Sequence, residues 1–337
     1  MRETKVHVTY NGKKVTKTFT GKIVSAIYSD GSSGELDDLS LVLEDRAGQW
    51  IGSWAPREGD KIHLAIETAD QIKPGVVKKF ILGTFFVDEL EVTGPPSLVT
   101  IRATSHPAAA EIKQTKRTKV WEKVTLKRIA EDVAKRGGLK LVYDVKFNPS
   151  YDRIDQTDQT DTAFLFAQAA KEGVGIKVAN GKLVLFDESI YEQKEPKVTI
   201  DLAAGQVVEY TFRWASSNTR YVACQVAYTT PKKKQTISAT YRAPGAPKSG
   251  PILKLNQQVD SEAEGLRVAR NLLRDKNKEA GRARLIVVGD PRLMTGVTIK
   301  IVNAGQFSGT YIIDSANHTI DSSGYTTSLE IRKALGW

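Results

Sequence analysis

Gly83-Thr84-Phe85-Phe86-Val87-Asp88 recurs near the end of the chain as Gly309-Thr310-Tyr311-Ile312-Ile313-Asp314. Both blocks read Gly-Thr-aromatic-apolar-apolar-Asp. Each is followed by an alternating strand, Ser97-Leu98-Val99-Thr100-Ile101-Arg102 in one and Ser328-Leu329-Glu330-Ile331-Arg332 in the other, and the two match on their Ile-Arg ends. Upstream of each lie a Pro-Arg pair, a glycine and another alternating strand. These are Pro56-Arg57, Gly59 and Lys61–Ile66 in the first copy, and Pro291-Arg292, Gly296 and Val297–Ile301 in the second. Three blocks in one order predict a duplicated β domain, with loops free to differ in length between them. Three such chains around one axis would place six similar units in a quasi-six-fold ring.

Working outward, residues 1–110 read as short strands punctuated by Gly and Pro. Val6–Tyr10 alternates into Asn11-Gly12, a type I′ hairpin signal. Leu39–Leu43, Lys61–Ile66, Phe85–Val87 and Leu98–Arg102 follow. This pattern predicts a sandwich or small barrel. The pattern then changes: Leu126, Ile129, Ala130, Val133 and Ala134 share one helical face, capped by Thr125 and stopped by Gly137-Gly138. A second helix is expected over Thr162–Lys171, and a hairpin turns at Asn180-Gly181. Beyond Val207 the strands return through Tyr221–Tyr228. Then come a loose stretch, Ala243–Pro251, and a helix opened by the Ser261/Glu264 capping box. That helix should bury Ala263, Leu266, Ala269 or Arg270, and Leu273, and show Arg267, Arg270, Arg274, Lys276 and Lys278 to solvent. The expected class is mainly β with an α+β insertion: a first β-barrel domain at 1–110, an α+β domain at 111–200, and a second β-barrel domain at 201–337 that includes a linker and helix at 243–281.

Composition narrows the function. With 337 residues, 40% apolar and 26% charged, the chain has the make-up of a globular protein of two or three domains. No apolar run reaches membrane-spanning length, and the N-terminus has no signal-like apolar stretch. The single cysteine, Cys224, excludes an intramolecular disulfide and a cysteine-built zinc site; folding in a cytoplasm is expected. The net charge of +10 is uneven, with 19 Lys/Arg against 10 Asp/Glu over residues 206–337. That imbalance fits nucleic acid, an acidic protein neighbour or a solvated face. Lys232, Lys233 and Lys234 read as a hairpin tip that supplies point charge but no base readout.

No catalytic, cofactor-binding or metal-binding residue is marked out. His7, His63, His106 and His318 lie in separate strand or turn contexts without ligand spacing. Nucleophile-elbow, phosphate-loop and zincin motifs are missing. Cys224 sits in an apolar strand, the setting of an inert thiol. The Asp155–Asp161 run lacks the Gly and Glu of a calcium loop and reads as the approach to a helix N-terminus.

Several blocks together resemble the late-control D-type baseplate hub of contractile phage tails, a family that includes tail-like bacteriocin versions. They are Gly83–Asp88 with Gly94-Pro95-Pro96; Trp121–Ala134; Gln159–Leu165 through Gly173; Asn180–Leu183; the 261–275 helix; and Gly289-Asp290-Pro291 through Gly309-Thr310-Tyr311 to His318 and Ser323–Thr327. Thr160 departs from the family's frequent Ser but keeps its capping ability. The resemblance covers about residues 30–335. It implies a non-enzymatic homotrimer with two tube-forming barrels per chain. The implied partners are the tail tube protein, the central spike protein, baseplate wedge proteins and the tape measure protein, with no membrane segment and no sequence-specific nucleic acid. The rival readings are a nucleic-acid-binding β-barrel protein and a baseplate-associated cell-wall hydrolase.

Overall fold

The structure, a computed structural model, describes residues 3–15, 21–71, 74–105, 115–215, 217, 219–229, 236–259 and 261–337. The first β unit holds β1 (Glu3–Tyr10), β2 (Lys13–Lys14), β3 (Ile23–Asp30), β4 (Asp38–Glu44), β5 (Lys61–Ala69), β6 (Val77–Thr93) and β7 (Leu98–Thr104). Asn11 and Gly12 both have positive φ, so β1 and β2 turn back at the expected dipeptide. The strands pair in the order β3-β4-β7-β6-β5-β1. Their alternate apolar residues converge on one core that includes Tyr28, Leu41, Ile62, Phe85, Val87 and Ile101.

The α+β unit follows. It comprises β8 (Lys116–Thr125), α1 (Leu126–Arg136), β9 (Lys140–Asp144), β10 (Ser150–Thr160), α2 (Asp161–Lys171), β11 (Val174–Ala179), β12 (Lys182–Asp187) and α3 (Glu188–Glu192). Thr125 and Thr160 cap α1 and α2, their hydroxyls accepting from the Arg128 and Ala163 amides. The five predicted residues of α1 are all buried. The acidic run 155–161 lies mostly in strand β10 rather than in an approach loop. Asp161, in the first turn of α2, is buried against Arg136 at 2.7 Å and Arg117 at 3.5 Å.

The second β unit holds β13 (Val198–Asp201), β14 (Val207–Trp214), β18 (Gly281–Val288), β19 (Thr298–Val302), β20 (Gly309–Asp321) and β21 (Gly324–Lys333). Its order β14-β18-β21-β20-β19-β13 repeats β3-β4-β7-β6-β5-β1 strand for strand. The registers repeat too. Phe85 faces Ile62, and Tyr311 faces Ile299. The bulge in β6 falls at Asp88 and that in β20 at Asp314. The bulge in β3 falls at Val24 and that in β14 at Val208. Gly83 and Gly309 have φ of 147° and 149°, a region that disfavours any side chain. The Gly59 and Gly296 amides each donate at 2.8 Å, to the Val87 and Ile313 carbonyls.

Three features depart from a simple repeat of the blocks. The Ile-Arg match is slipped by two residues: Ala103 faces Val87 as Ile331 faces Ile313, so Ile101 corresponds to Leu329 and Arg102 to Glu330. A two-residue slip leaves every side chain on its own face, so alternation cannot detect it. The last β1-type strand is also reversed, because β1 runs antiparallel to β5 whereas β13 runs parallel to β19. Third, the segment between β14 and β18, read as strand, linker and helix of the second barrel, carries its own sheet. That sheet contains β15 (Ala223–Thr229), β16 (Thr236–Arg242) and β17 (Ile252–Asn256), packed on α4 (Glu262–Asn277) around Cys224, Val226, Val259 and Leu273. The inward face of α4 is Gly265, Val268, Ala269, Leu273 and Arg274, while Ala263 and Leu266 are exposed. The contact is made at Gly265, where a Cβ would stand 2.8 Å from that of Ala239.

Candidate assembly interface

The two β units share one sheet because the second half of β20 pairs with β3. Ala316 lies opposite Asp30, His318 opposite Tyr28 and Asp321 opposite Ser25. Ala316, His318, Tyr28 and Ala26 are all buried in this junction. His318 stacks on Tyr28 with ring centroids 5.7 Å apart. Its Nε2 lies 3.1 Å from the Leu293 carbonyl and its Nδ1 2.7 Å from the Tyr325 hydroxyl. Burial lowers its pKa to about 4, so the ring is neutral at physiological pH. A neutral ring donates from Nε2 to the carbonyl and accepts at Nδ1 from the hydroxyl.

A charged lock ties the α+β unit to this junction. Lys177 on β11 inserts its ammonium between Asp30 and Asp37 and donates to the Gly31 carbonyl at 3.0 Å. Asp30 accepts from the Thr295 amide at 2.6 Å, so three units meet at one carboxylate. Burial, reinforced by Asp30 and opposed by Lys177, pushes Asp37 up to about 6. Burial works against the Lys177 charge, but its two carboxylates win and raise its pKa.

A second lock uses the basic helix. Arg274, expected on a solvated face, is buried 2.8 Å from Glu192 of α3, and Arg332 of β21 approaches the same carboxylate at 2.7 Å. These are close ion pairs whose atoms are not aligned as hydrogen bonds. Burial would raise the Glu192 pKa, yet the two guanidiniums outweigh it and lower it. Arg267 donates to Glu172 at 2.8 Å, and Lys278 pairs with Glu188. Three of the five cations predicted to face solvent therefore fasten α4 to the α+β unit. Arg332 also donates to Asp314, the bulge residue of the repeated motif, at 3.0 Å. No local pattern marked Glu172, Glu188 and Glu192 as partners, because they lie about 80 or more residues away in sequence.

The sites weighed for chemistry fall apart. His7 pairs with Glu67 at 3.2 Å, and His63 lies 3.1 Å from the Thr84 hydroxyl. His106, Lys232, Lys233 and Lys234 lie outside the described residues. Cys224 is fully buried, and burial pushes its thiol up to about 11, away from the reactive thiolate. Among the described residues no cluster of His, Cys, Asp and Glu suits a metal ion, and no helix is long and apolar enough to cross a membrane.

Several strands pair on one side only among the described residues, and two of these open edges lie at β6 and β14. The stretch of β6 beyond Val87 pairs on one side only, with β7. β14 pairs on one side only, with β18. Leu90, Val92, Val208, Tyr210 and Trp214 stand exposed along these edges. Long exposed edges with apolar side chains are interaction surfaces or aggregation hazards.

The family model described as phage tail baseplate hub (GPD) matches residues 61–324. The probable baseplate hub protein of Escherichia phage 186 is 24% identical over 369 residues, covering 97% of this chain and 92% of that protein. Two solved structures share the fold. The tail protein from Neisseria meningitidis MC58 has a TM-score of 0.72 at 12% identity, covering 99% of this chain and 98% of that one. The 43 kDa tail protein of prophage MuSo2 from Shewanella oneidensis has a TM-score of 0.70 at 15% identity, covering 99% of both chains.

Proposed function

The chain belongs to the phage tail baseplate hub family, and we propose that it acts there as a homotrimer whose six β units form a pseudo-six-fold ring. The observation that carries this reading is the strand-for-strand repeat of the two β units, joined through β20 and β3. Two equivalent units per chain convert a three-fold axis into near six-fold symmetry. One face of the ring would then match a hexameric tail tube of contractile type, and the other a trimeric spike. Baseplate wedge proteins and the tape measure protein are its further neighbours. Assembly takes place in the bacterial cytoplasm, before the hub is built into the baseplate of the virion or tail-like particle.

The work done is positional, with specificity from interface complementarity rather than from a pocket. The domain scheme is a β-barrel unit at 1–110, an α+β unit at 111–200, and a second β-barrel unit at 201–337 interrupted by the β15–α4 insertion. The nucleic-acid rival loses support, because Arg267, Arg274 and Lys278 are engaged by carboxylates rather than offered to a phosphate backbone. The test is the native mass of hub released from assembled baseplates. Three copies of the 37.1 kDa chain give about 111 kDa; a dimeric or tetrameric mass overturns the reading.

A further inference from the structure

The open edges are the two halves of a junction the molecule already makes once. Superposing the units by their ladders, the second half of β20 corresponds to the end of β6, with Ala316 equivalent to Leu90 and His318 to Val92. Likewise β3 corresponds to β14, with Ala26 equivalent to Tyr210, Tyr28 to Phe212 and Asp30 to Trp214. Within the chain, β20 is paired with β3. Its counterpart, the end of β6, has no partner on that side among the described residues, and neither has β14.

We infer that the chains of the trimer join by repeating this junction, the end of β6 in one copy pairing antiparallel with β14 of the next. The inference rests on the trimeric reading above and adds the register. Transferring the β20–β3 pairing puts Leu90 opposite Trp214, Glu91 opposite Arg213, Val92 opposite Phe212, Thr93 opposite Thr211 and Gly94 opposite Tyr210.

Three independent features fit that register. Leu90 and Val92 take the places of Ala316 and His318, which are buried at the internal junction, so their own exposure of 36% and 45% ends there. Tyr210 and Trp214, 55% and 58% exposed, share their face with the half-buried Phe212 and take the places of buried Ala26 and Asp30. On the opposite face, Glu91 meets Arg213. Glu91 already accepts from Arg102 of its own chain at 3.2 Å, so the neighbour's cation completes a charge cluster. The apolar, aromatic and charged positions thus fall in phase. A one-residue slip would set Leu90 against a face that carries Arg213 and Thr211. A head-to-tail contact of this kind uses two different surfaces of each chain and closes into a ring.

Cross-linking in assembled baseplates tests the register. Thr93→Cys combined with Thr211→Cys places two thiols on directly opposed residues, about 4.5–5.5 Å apart at Cα and within disulfide reach. Glu91→Cys with Thr211→Cys sits two residues out of register, about 7–8 Å away and beyond it. Cys224 is buried and stays in place. The expected result is a non-reducing ladder up to trimer for the first pair and monomer for the second. Linking of the second pair alone, or of neither, overturns the register. Should the first variant fail to assemble, hydrogen exchange on wild-type particles decides. Amides of residues 90–94 and 208–214 should exchange at least about tenfold more slowly in the baseplate than in the free chain, and unchanged rates overturn the proposal. Native mass from the same particles separates the two failures. A trimer without link or protection sinks this interface and leaves the trimer standing, whereas another stoichiometry sinks the trimer itself.

Discussion

The two β units carry the same ladder, yet the end of β6 is bare where its counterpart, the end of β20, is occupied. The end of β20 is covered by β3, and its bulge residue Asp314 is drawn into a buried arginine network. The end of β6 carries Leu90 and Val92 into solvent, and its nearby charges, Glu89, Glu91 and Arg102, form exposed ion pairs. The difference lies in neighbours rather than in strand geometry, since the bulges and positive-φ glycines coincide. A duplicated unit thus shows, in its satisfied copy, what the unsatisfied copy lacks.

The sharpest way to break this contrast is to remove one charge from the network beside each strand end. Glu192→Gln leaves Arg274 and Arg332 buried without their shared carboxylate. It should cost about 3–5 kcal/mol of unfolding free energy, read by urea denaturation. Arg102→Ala, in the exposed ion-pair cluster beside the end of β6, should leave the urea midpoint where it was. Equal shifts would show that the two copies are anchored alike.

The edges offer the next contrast. Ala316→Asp introduces a carboxylate into the internal junction and should lower the free chain's melting temperature by several degrees, on the order of 2–4 kcal/mol. Leu90→Asp, at the equivalent place, should leave melting within experimental error and abolish baseplate assembly. Assembly at the wild-type rate would mean the β6 edge is not an interface.

Acid stability separates the groups packed at the junction. The His318 pKa is lowered in the fold, so its contribution is present above about pH 6.5 and lost as pH falls toward 4. The Asp37 pKa is raised to about 6, so the folded chain holds that proton more tightly than the unfolded chain. Its contribution therefore improves as pH falls from about 6 to 4. The two slopes oppose each other in the wild type. His318→Gln should unmask a gain in stability on acidification across this window, and Asp37→Asn a loss, measured as urea midpoints from pH 7 to 4. Identical profiles for both variants would refute the assignment.

The smallest effect is expected at the tri-lysine segment. Replacing Lys232, Lys233 and Lys234 together by Ala should leave melting unchanged and shift the salt dependence of assembly. Sequence-selective duplex binding by the wild type, absent in the variant, would revive the nucleic-acid reading.

Much of this architecture was legible in local pattern. Alternation located β4, β5 and β7, the Thr125 and Ser261 caps located α1 and α4, and the Gly-Thr-aromatic blocks exposed the duplication. What escaped were features that depend on distant segments meeting. The parallel pairing of β15 with β17 made the insertion a unit of its own, and nothing between Tyr221 and Asn256 announces that pairing. Arg274 reads as a surface cation until Glu192 arrives from α3. The two-residue slip between Ile101 and Ile331 was invisible because period-2 strands look identical after it. The open edges were beyond reach for the same reason: alternation describes the faces of a strand, and says nothing of which edge is left bare.

Electron cryo-microscopy of the assembled baseplate, at a resolution that separates neighbouring strands, tests the central claim most directly. The account predicts that Gly83–Val87 and Gly309–Ile313 alternate around one axis at equal radius, three of each, with β20–β3 and β6–β14 contacts in turn. Placement of the two segments at different radii, or hub copies in a number other than three, would contradict it.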